Sequence, residues 1–182
     1  QHPELFFNHW AKPLYVLLVS PFAQFGFTGV KIFNAIVSIL TLFFTFKSAQ
    51  KLHINNSIIA AVILIFSPLC FALTFSGLTE PLFALFISIG LYTLLSDKYI
   101  LSCLFISFLP FIRSEGLIVI GIFILYLLIK KQWKYIPLLA AGHIVYMISG
   151  YFVYEDLFWV FNKIPYARLS STYGNGELFH FV

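Results

Sequence analysis

One interruption sets what this chain can fold into. From Tyr99 to Ile129 run 31 residues that are apolar, small or hydroxyl-bearing, except within the segment Leu109-Pro110-Phe111-Ile112-Arg113-Ser114-Glu115-Gly116. At about 1.5 Å per helical residue the stretch is too long for one crossing of a roughly 30 Å hydrocarbon core and barely long enough for two. The spacing therefore predicts two shortened helices joined by a tight turn. Arg113 and Glu115 would then lie below the level of the lipid headgroups. A charge placed there costs about 3 kcal/mol on insertion scales unless a cavity or partner receives it, so it marks a functional site by default.

A soluble fold is excluded by how little polar surface there is. The 182 residues are 60% apolar and 10% charged, where soluble domains average about 45–50% and about 25%, so the chain reads as an integral membrane protein. The net charge of +4 does not indicate nucleic acid, because the basic residues stand singly at the ends of apolar runs, as topology signals do. Cys70 and Cys103 lie inside apolar runs and read as packing residues, with no disulfide or metal framework.

In chain order, residues 1–26 mix aromatic and polar groups with Pro3, Pro13 and Pro21, which suits short interfacial pieces rather than a span. About six spans are expected over 28–154: Thr28 to Gln50, Ile54 to Phe75 carrying Pro68, Pro81 to about Ser96, Tyr99 to Ile112, Gly116 to Ile129, and Tyr135 to Tyr154. Residues 155–182 read as an external loop, and the whole as one all-α transmembrane domain, part of a longer protein. The loops holding Lys47 and Lys51, Lys98, and Lys130, Lys131 and Lys134 are cytoplasmic by the positive-inside rule. Glu80, Arg113, Glu115, Glu155 and Asp156 then share the opposite face with both ends of the chain.

Several of these residues invite two readings. Arg113 and Glu115 can pair with each other across the turn, or Arg113 can hold an anion such as phosphate, whose oxygens its planar fork matches. Glu80 precedes the helix-starting Pro81. It can favour that helix's dipole, pair with Arg113 across adjacent helices, or meet a ligand. Lys12, flanked by Trp10 and Tyr15, is an interfacial anchor or a second cation for a lipid phosphate. His143, alone in a span, is expected to be hydrogen-bonded between helices. In the terminal loop, Arg168 and Tyr173 accompany a Gly174-Asn175-Gly176 turn that lacks the strand-to-helix setting of a nucleotide fingerprint. Asn55-Asn56-Ser57 matches a glycosylation acceptor but falls in a cytoplasmic loop. Neither metal-ligand spacing nor a nucleophile-base triad can be assembled.

Three segments, taken in order, resemble the GT-C superfamily of polytopic glycosyltransferases, the group of protein O-mannosyltransferases, the lipid A aminoarabinose transferase and the dolichol-pathway mannosyltransferases. His2-Pro3 followed by Trp10-Ala11-Lys12-Pro13-Leu14-Tyr15 is similar to the end of their first large external loop. Ser76-Gly77-Leu78-Thr79-Glu80-Pro81 is similar to the external start of a later helix. Pro110-Phe111-Ile112-Arg113-Ser114-Glu115-Gly116 is similar to the turn of the short helix pair that follows. The match is to the superfamily rather than to one member, and places the chain in the N-terminal half.

The resemblance implies an enzyme of the plasma (inner) or endoplasmic-reticulum-type membrane. It would transfer a mannose-like hexose from a polyprenyl-phosphate donor to a lipid, glycan or protein acceptor on the non-cytoplasmic side. Lys12, Arg113 and Arg168 would bind the donor phosphate, while Glu80, Glu115 and Tyr173 would orient substrate. The family's catalytic carboxylate lies upstream of the Pro-Leu-Tyr segment, hence before Gln1. No cofactor is implied beyond a divalent cation that such chemistry can recruit. A transporter or flippase for a lipid-linked or anionic substrate is the rival from another class, and a structural membrane subunit is the third.

Overall fold

Prolines, glycines and short polar runs cut the apolar sequence into nine α-helices in the computed structural model, which describes Phe7 and residues 11–162. In order they are α1 (Pro13–Ala23), α2 (Gly26–Lys51), α3 (Ile58–Ile65), α4 (Pro68–Ser76), α5 (Glu80–Leu95), α6 (Tyr99–Ser107), α7 (Gly116–Ile129), α8 (Ala141–Tyr154) and α9 (Trp159–Asn162). Leu109–Phe111 and Trp133–Ala140 form 3-10 segments before α7 and α8. Pro13, Pro68 and Pro81 sit in the first turns of α1, α4 and α5, where the missing N–H has no helical partner to lose. Pro137 lies inside the second 3-10 segment, where its ring removes a donor that an α-helical ladder would use.

Among the described residues, two helices are long and apolar enough to cross a membrane: α2 with 26 residues, and the continuous Trp133–Tyr154 with 22. The expected single span over residues 54–75 is instead two helices, α3 and α4, bent by 62°. Pro68 is the cause, since the residue before a proline is pushed out of the helical region and Ser67 is extended at φ −67°, ψ 119°. The remaining apolar helices, Pro13–Ala23, Glu80–Leu95, Tyr99–Phe111 and Gly116–Ile129, are shorter than the roughly 20 residues of a full crossing. Among the described residues, α9 apart, the helices thus amount to two of full length, one bent pair and four short ones, which supply two crossings by length, or three with the bent pair, rather than the expected six.

The interior is joined by small and hydroxyl-bearing residues, as in membrane bundles. The most extensive packing is of α2 on α5, followed by α5 on α6 and then α6 on the Trp133–Ala140 segment. Ser102 Oγ donates to the Gly90 carbonyl at 2.7 Å, joining α6 to α5. Ser107 Oγ accepts from the Gly142 N–H at 3.1 Å, joining α6 to α8. Outside, Ile39, Ile63, Ile118, Ile122 and Phe152 present most of their surface to the surroundings, an exterior suited to lipid.

Charge is sorted to the two ends of the bundle. α2 and α5 run parallel, because Asn34 touches the Leu78 carbonyl before α5 while Phe44 packs on Tyr92 near its far end, 5.6 Å between ring centroids. Lys47 and Lys51 therefore share an end with Lys98. Tyr99 stacks on Tyr135 at 5.2 Å, which brings the Lys130–Lys134 loop to that same end. Glu80, Arg113 and Glu115 gather at the other.

Candidate functional site

The turn between α6 and α7 is anchored from below. Phe111 and Ile112 are fully buried, and Phe111 stacks on Tyr146 of α8 with ring centroids 4.0 Å apart. Backbone bonds from Arg113 N to the Leu109 carbonyl, 2.9 Å, and from Gly116 N to the Arg113 carbonyl, 3.0 Å, close the loop. Gly116 is required for this closure, since a Cβ there would stand 2.4 Å from the Leu109 carbonyl carbon and 2.5 Å from the Pro110 nitrogen. Two greasy anchors followed by Arg-Ser-Glu leave the guanidinium at the rim, projecting toward its neighbours.

Those neighbours are acidic on two sides. Arg113 Nη1 donates to Glu80 Oε1 at the start of α5, and Nη2 donates to Glu115 Oε1 at 2.7 Å. Both alternatives that the sequence leaves open for Arg113, a pair across the turn and a pair across helices, occur together. Lys12 joins them from just before α1, its Nζ donating to Ser114 Oγ at 2.8 Å. Four charged residues and one hydroxyl from three separate stretches thus form one cluster.

The junction that presents Glu80 is itself clamped. Gly77 ends α4 in the left-handed region at φ +73°, a conformation that glycine adopts without a Cβ penalty. Tyr15 Oη donates to the Gly77 carbonyl at 2.9 Å, and Asn34 Nδ2 to the Leu78 carbonyl at 3.1 Å. Asn34 is wholly buried. The second carboxylate oxygen of Glu80 is buried with no hydrogen-bond partner among the described residues. Glu80 also borders a cavity of about 180 Å³, lined with Ser38, Thr41, Ser67 and Cys70, at the break between α3 and α4.

Electrostatics divides the members by role. The hydrogen bond from Arg113 holds the Glu115 carboxyl below the usual carboxylate range, with Lys12 adding to the effect. Arg113 is raised in turn, first by its bond to Glu115. Burial pushes the Lys12 ammonium down; Glu115 opposes that shift and Arg113 adds to it. Two cations face two carboxylates, so the cluster is neutral and an incoming anion must displace a carboxylate. Glu115, with 55% of its side chain exposed against 31% for Glu80, is the one that yields, because an exposed ion pair is worth only about 0–1 kcal/mol.

Of the residues singled out by sequence, Lys12, Glu80, Arg113 and Glu115 come together, whereas Arg168 and Tyr173 lie outside the described residues. Ser114, Asn34 and the clamping role of Tyr15 are new. An amide within the apolar run of α2 was the available signal for Asn34. His143 departs from expectation: Phe111 meets it edge-on and Phe161 stacks on it, with no hydrogen bond among the described residues, because the 3-10 segment before α7 and the helix α9 offer it rings. Cys70 and Cys103 are both free. Among the described residues, no three His, Cys, Asp or Glu side chains are grouped to hold a metal ion.

The chain matches no protein-family model, no curated protein and no solved structure. The chemistry of the cluster is that of two cations close together beside the turn between α6 and α7, one bound loosely enough by an exposed carboxylate to exchange it for another anion.

Proposed function

We propose that the chain is the membrane-embedded part of a glycosyltransferase that moves a mannose-like sugar from a polyprenyl-phosphate donor to an acceptor on the non-cytoplasmic side. The carrying observation is the meeting of Lys12 with the Arg113-Ser114-Glu115 turn and Glu80 at one end of a lipid-facing bundle. In the reaction an acceptor hydroxyl attacks the anomeric carbon, the bond from that carbon to the phosphate oxygen breaks, and the phosphate leaves with the electron pair. Negative charge grows on the phosphate, and cations fixed where charge develops are the most effective catalytic groups. Lys12 and Arg113 meet that need. Glu80 holds the guanidinium in place, and Glu115 cedes its position to the phosphate. The hydroxyl proton goes to a carboxylate base, the kind of group that the family resemblance implies.

The short helices support this reading, since α6 and α7 fall short of a full crossing and a turn between two such helices would lie within reach of a phosphate borne by a lipid. Release of polyprenyl phosphate in membranes containing the full protein tests it. Wild type should release the carrier and label an acceptor, and Arg113→Ala should abolish both; intact lipid-linked sugar with wild type overturns the enzyme. One observation favours transport as the second reading: helices broken within the membrane, like the 62° bend between α3 and α4, are used by transporters to form substrate sites. Transport would move the lipid-linked sugar without cleaving it, so the same product measurement separates the two.

A further inference from the structure

The end of the bundle away from the Arg113 cluster carries a second concentration of charge. Lys98 leads into α6, and Lys130, Lys131 and Lys134 follow α7; all four are exposed. They are far apart in sequence, yet the stacked rings of Tyr99 and Tyr135, 5.2 Å apart and inclined by 11°, pin the two loops side by side. Lys134 Nζ lies 4.9 Å from the centre of the Tyr135 ring and Lys130 Nζ 5.9 Å from that of Tyr126. Trp133 is 64% exposed beside them, its indole N–H donating to the Leu128 carbonyl. The single carboxylate of the two loops, Asp97, accepts from Tyr99 Oη at 3.4 Å. Ile100 and Ile129 continue the surface as exposed apolar side chains.

Membrane topology accounts for lysines at this end but requires only their number. It does not require two loops to be joined by an aromatic stack, nor their lysines to outnumber the nearby carboxylate four to one. Lysines gathered at a membrane boundary, with an amphipathic indole level with the headgroups, fit a phosphodiester whose tails continue along the apolar flank. We propose that Lys98, Lys130, Lys131 and Lys134, with Trp133, form a binding site for an anionic phospholipid headgroup in the leaflet at this end. The site is separate from the Arg113 cluster and stands whether or not sugar transfer occurs.

Native mass spectrometry of the full protein in mild detergent tests it, with equal amounts of phosphatidylglycerol and phosphatidylcholine added. Each lysine near an anionic surface strengthens binding about fivefold, so phosphatidylglycerol adducts should exceed phosphatidylcholine adducts at least tenfold by the same principle. The quadruple variant K98Q/K130Q/K131Q/K134Q should lose that excess and keep its phosphatidylcholine adducts, while the corresponding four arginines retain it. Because the quadruple change can disturb insertion, wild-type protein in nanodiscs supplies a second reading: brominated phosphatidylglycerol should quench tryptophan emission more than brominated phosphatidylcholine. Equal adducts, equal quenching, or an excess that survives the glutamines overturns the proposal. So does competition by millimolar inorganic phosphate, which would show a site for free phosphate rather than for lipid.

Discussion

Lys12 donates a hydrogen bond to Ser114 across 102 positions of chain, and this contact brings the lead-in to α1 onto the turn between α6 and α7. Among the described residues the ammonium has no other hydrogen-bond partner, which leaves two N–H groups for a ligand, and it lies close enough to the guanidinium of Arg113 to feel its charge. Without the contact, the two cations would belong to unrelated surfaces.

Arg113→Ala should lower sugar transfer by about 10²–10³-fold, the usual loss when a donor to a developing anion is removed. Arg113→Lys should fall between, since a point charge cannot engage Glu80 and a phosphate through separate faces of a fork. Polyprenyl phosphate release in membranes, normalised to the amount of protein, measures both.

The two carboxylates should respond in opposite ways. Glu115→Gln frees the guanidinium from an exposed partner and should tighten anion binding up to about fivefold, the equivalent of a surface pair of about 1 kcal/mol. Glu80→Gln weakens a half-buried charged hydrogen bond and should lower stability by about 1–3 kcal/mol. Titration with a short-chain polyprenyl phosphate reads the first, and thermal unfolding in detergent the second.

Activity should fall at alkaline pH earlier than an ordinary lysine allows. Burial lowers Lys12 from about 10.4, so its charge, and with it phosphate binding, is lost as pH rises through that lowered value. For stability the sign is reversed, because folding disfavours the charged ammonium: the penalty is present at neutral pH and relieved as Lys12 deprotonates. Glu115 acts at the other limb. Its depressed carboxyl contributes stability above the ordinary glutamate range of about 4.3, and that contribution disappears as pH falls through the depressed value. A pH profile of wild type against Lys12→Arg, whose guanidinium stays charged, should show the alkaline limb move upward.

Asn34→Leu should cost about 1–3 kcal/mol, because the Leu78 carbonyl loses its donor beside a buried junction. Tyr15→Phe removes the equivalent bond to Gly77. As both hold the same junction between α4 and α5, their combined effect should differ from the sum of the two, in a double-mutant cycle of unfolding temperatures.

Gly116→Val should disrupt folding of the turn, since its first side-chain carbon would overlap the backbone of Leu109 and Pro110. Overpacking of this kind costs about 1–3 kcal/mol or more. Size-exclusion profiles of a fluorescent fusion should show the loss of the monodisperse peak.

Much of this architecture could be read from residue order, and the exceptions have definite causes. Interruption by Arg113-Ser114-Glu115 within an apolar stretch located the turn, and alternation of charge sorted Glu80 and Arg113 to one end. Pro68 was visible, but whether it opens a helix or kinks one depends on how Ser67 packs. Lys12 was ambiguous because an anchor and a ligand have the same local sequence, and only the distance to Ser114 separates a free lysine from one held against the turn. Asn34 and Tyr15 act through the carbonyls of Gly77 and Leu78, and no pattern of side chains announces a bond to backbone.

The 14 residues of α7 extend about 21 Å at the usual helical rise, some 9 Å less than an average hydrocarbon layer is thick. Were α7 to cross a bilayer, acyl chains alongside Leu117, Ile118 and Ile122 would have to shorten or tilt to match, and mismatch costs a fraction of a kcal/mol per ångström. The protein should accordingly favour thin bilayers and work poorly in thick, sterol-stiffened ones, so that membrane thickness itself becomes a variable its activity obeys.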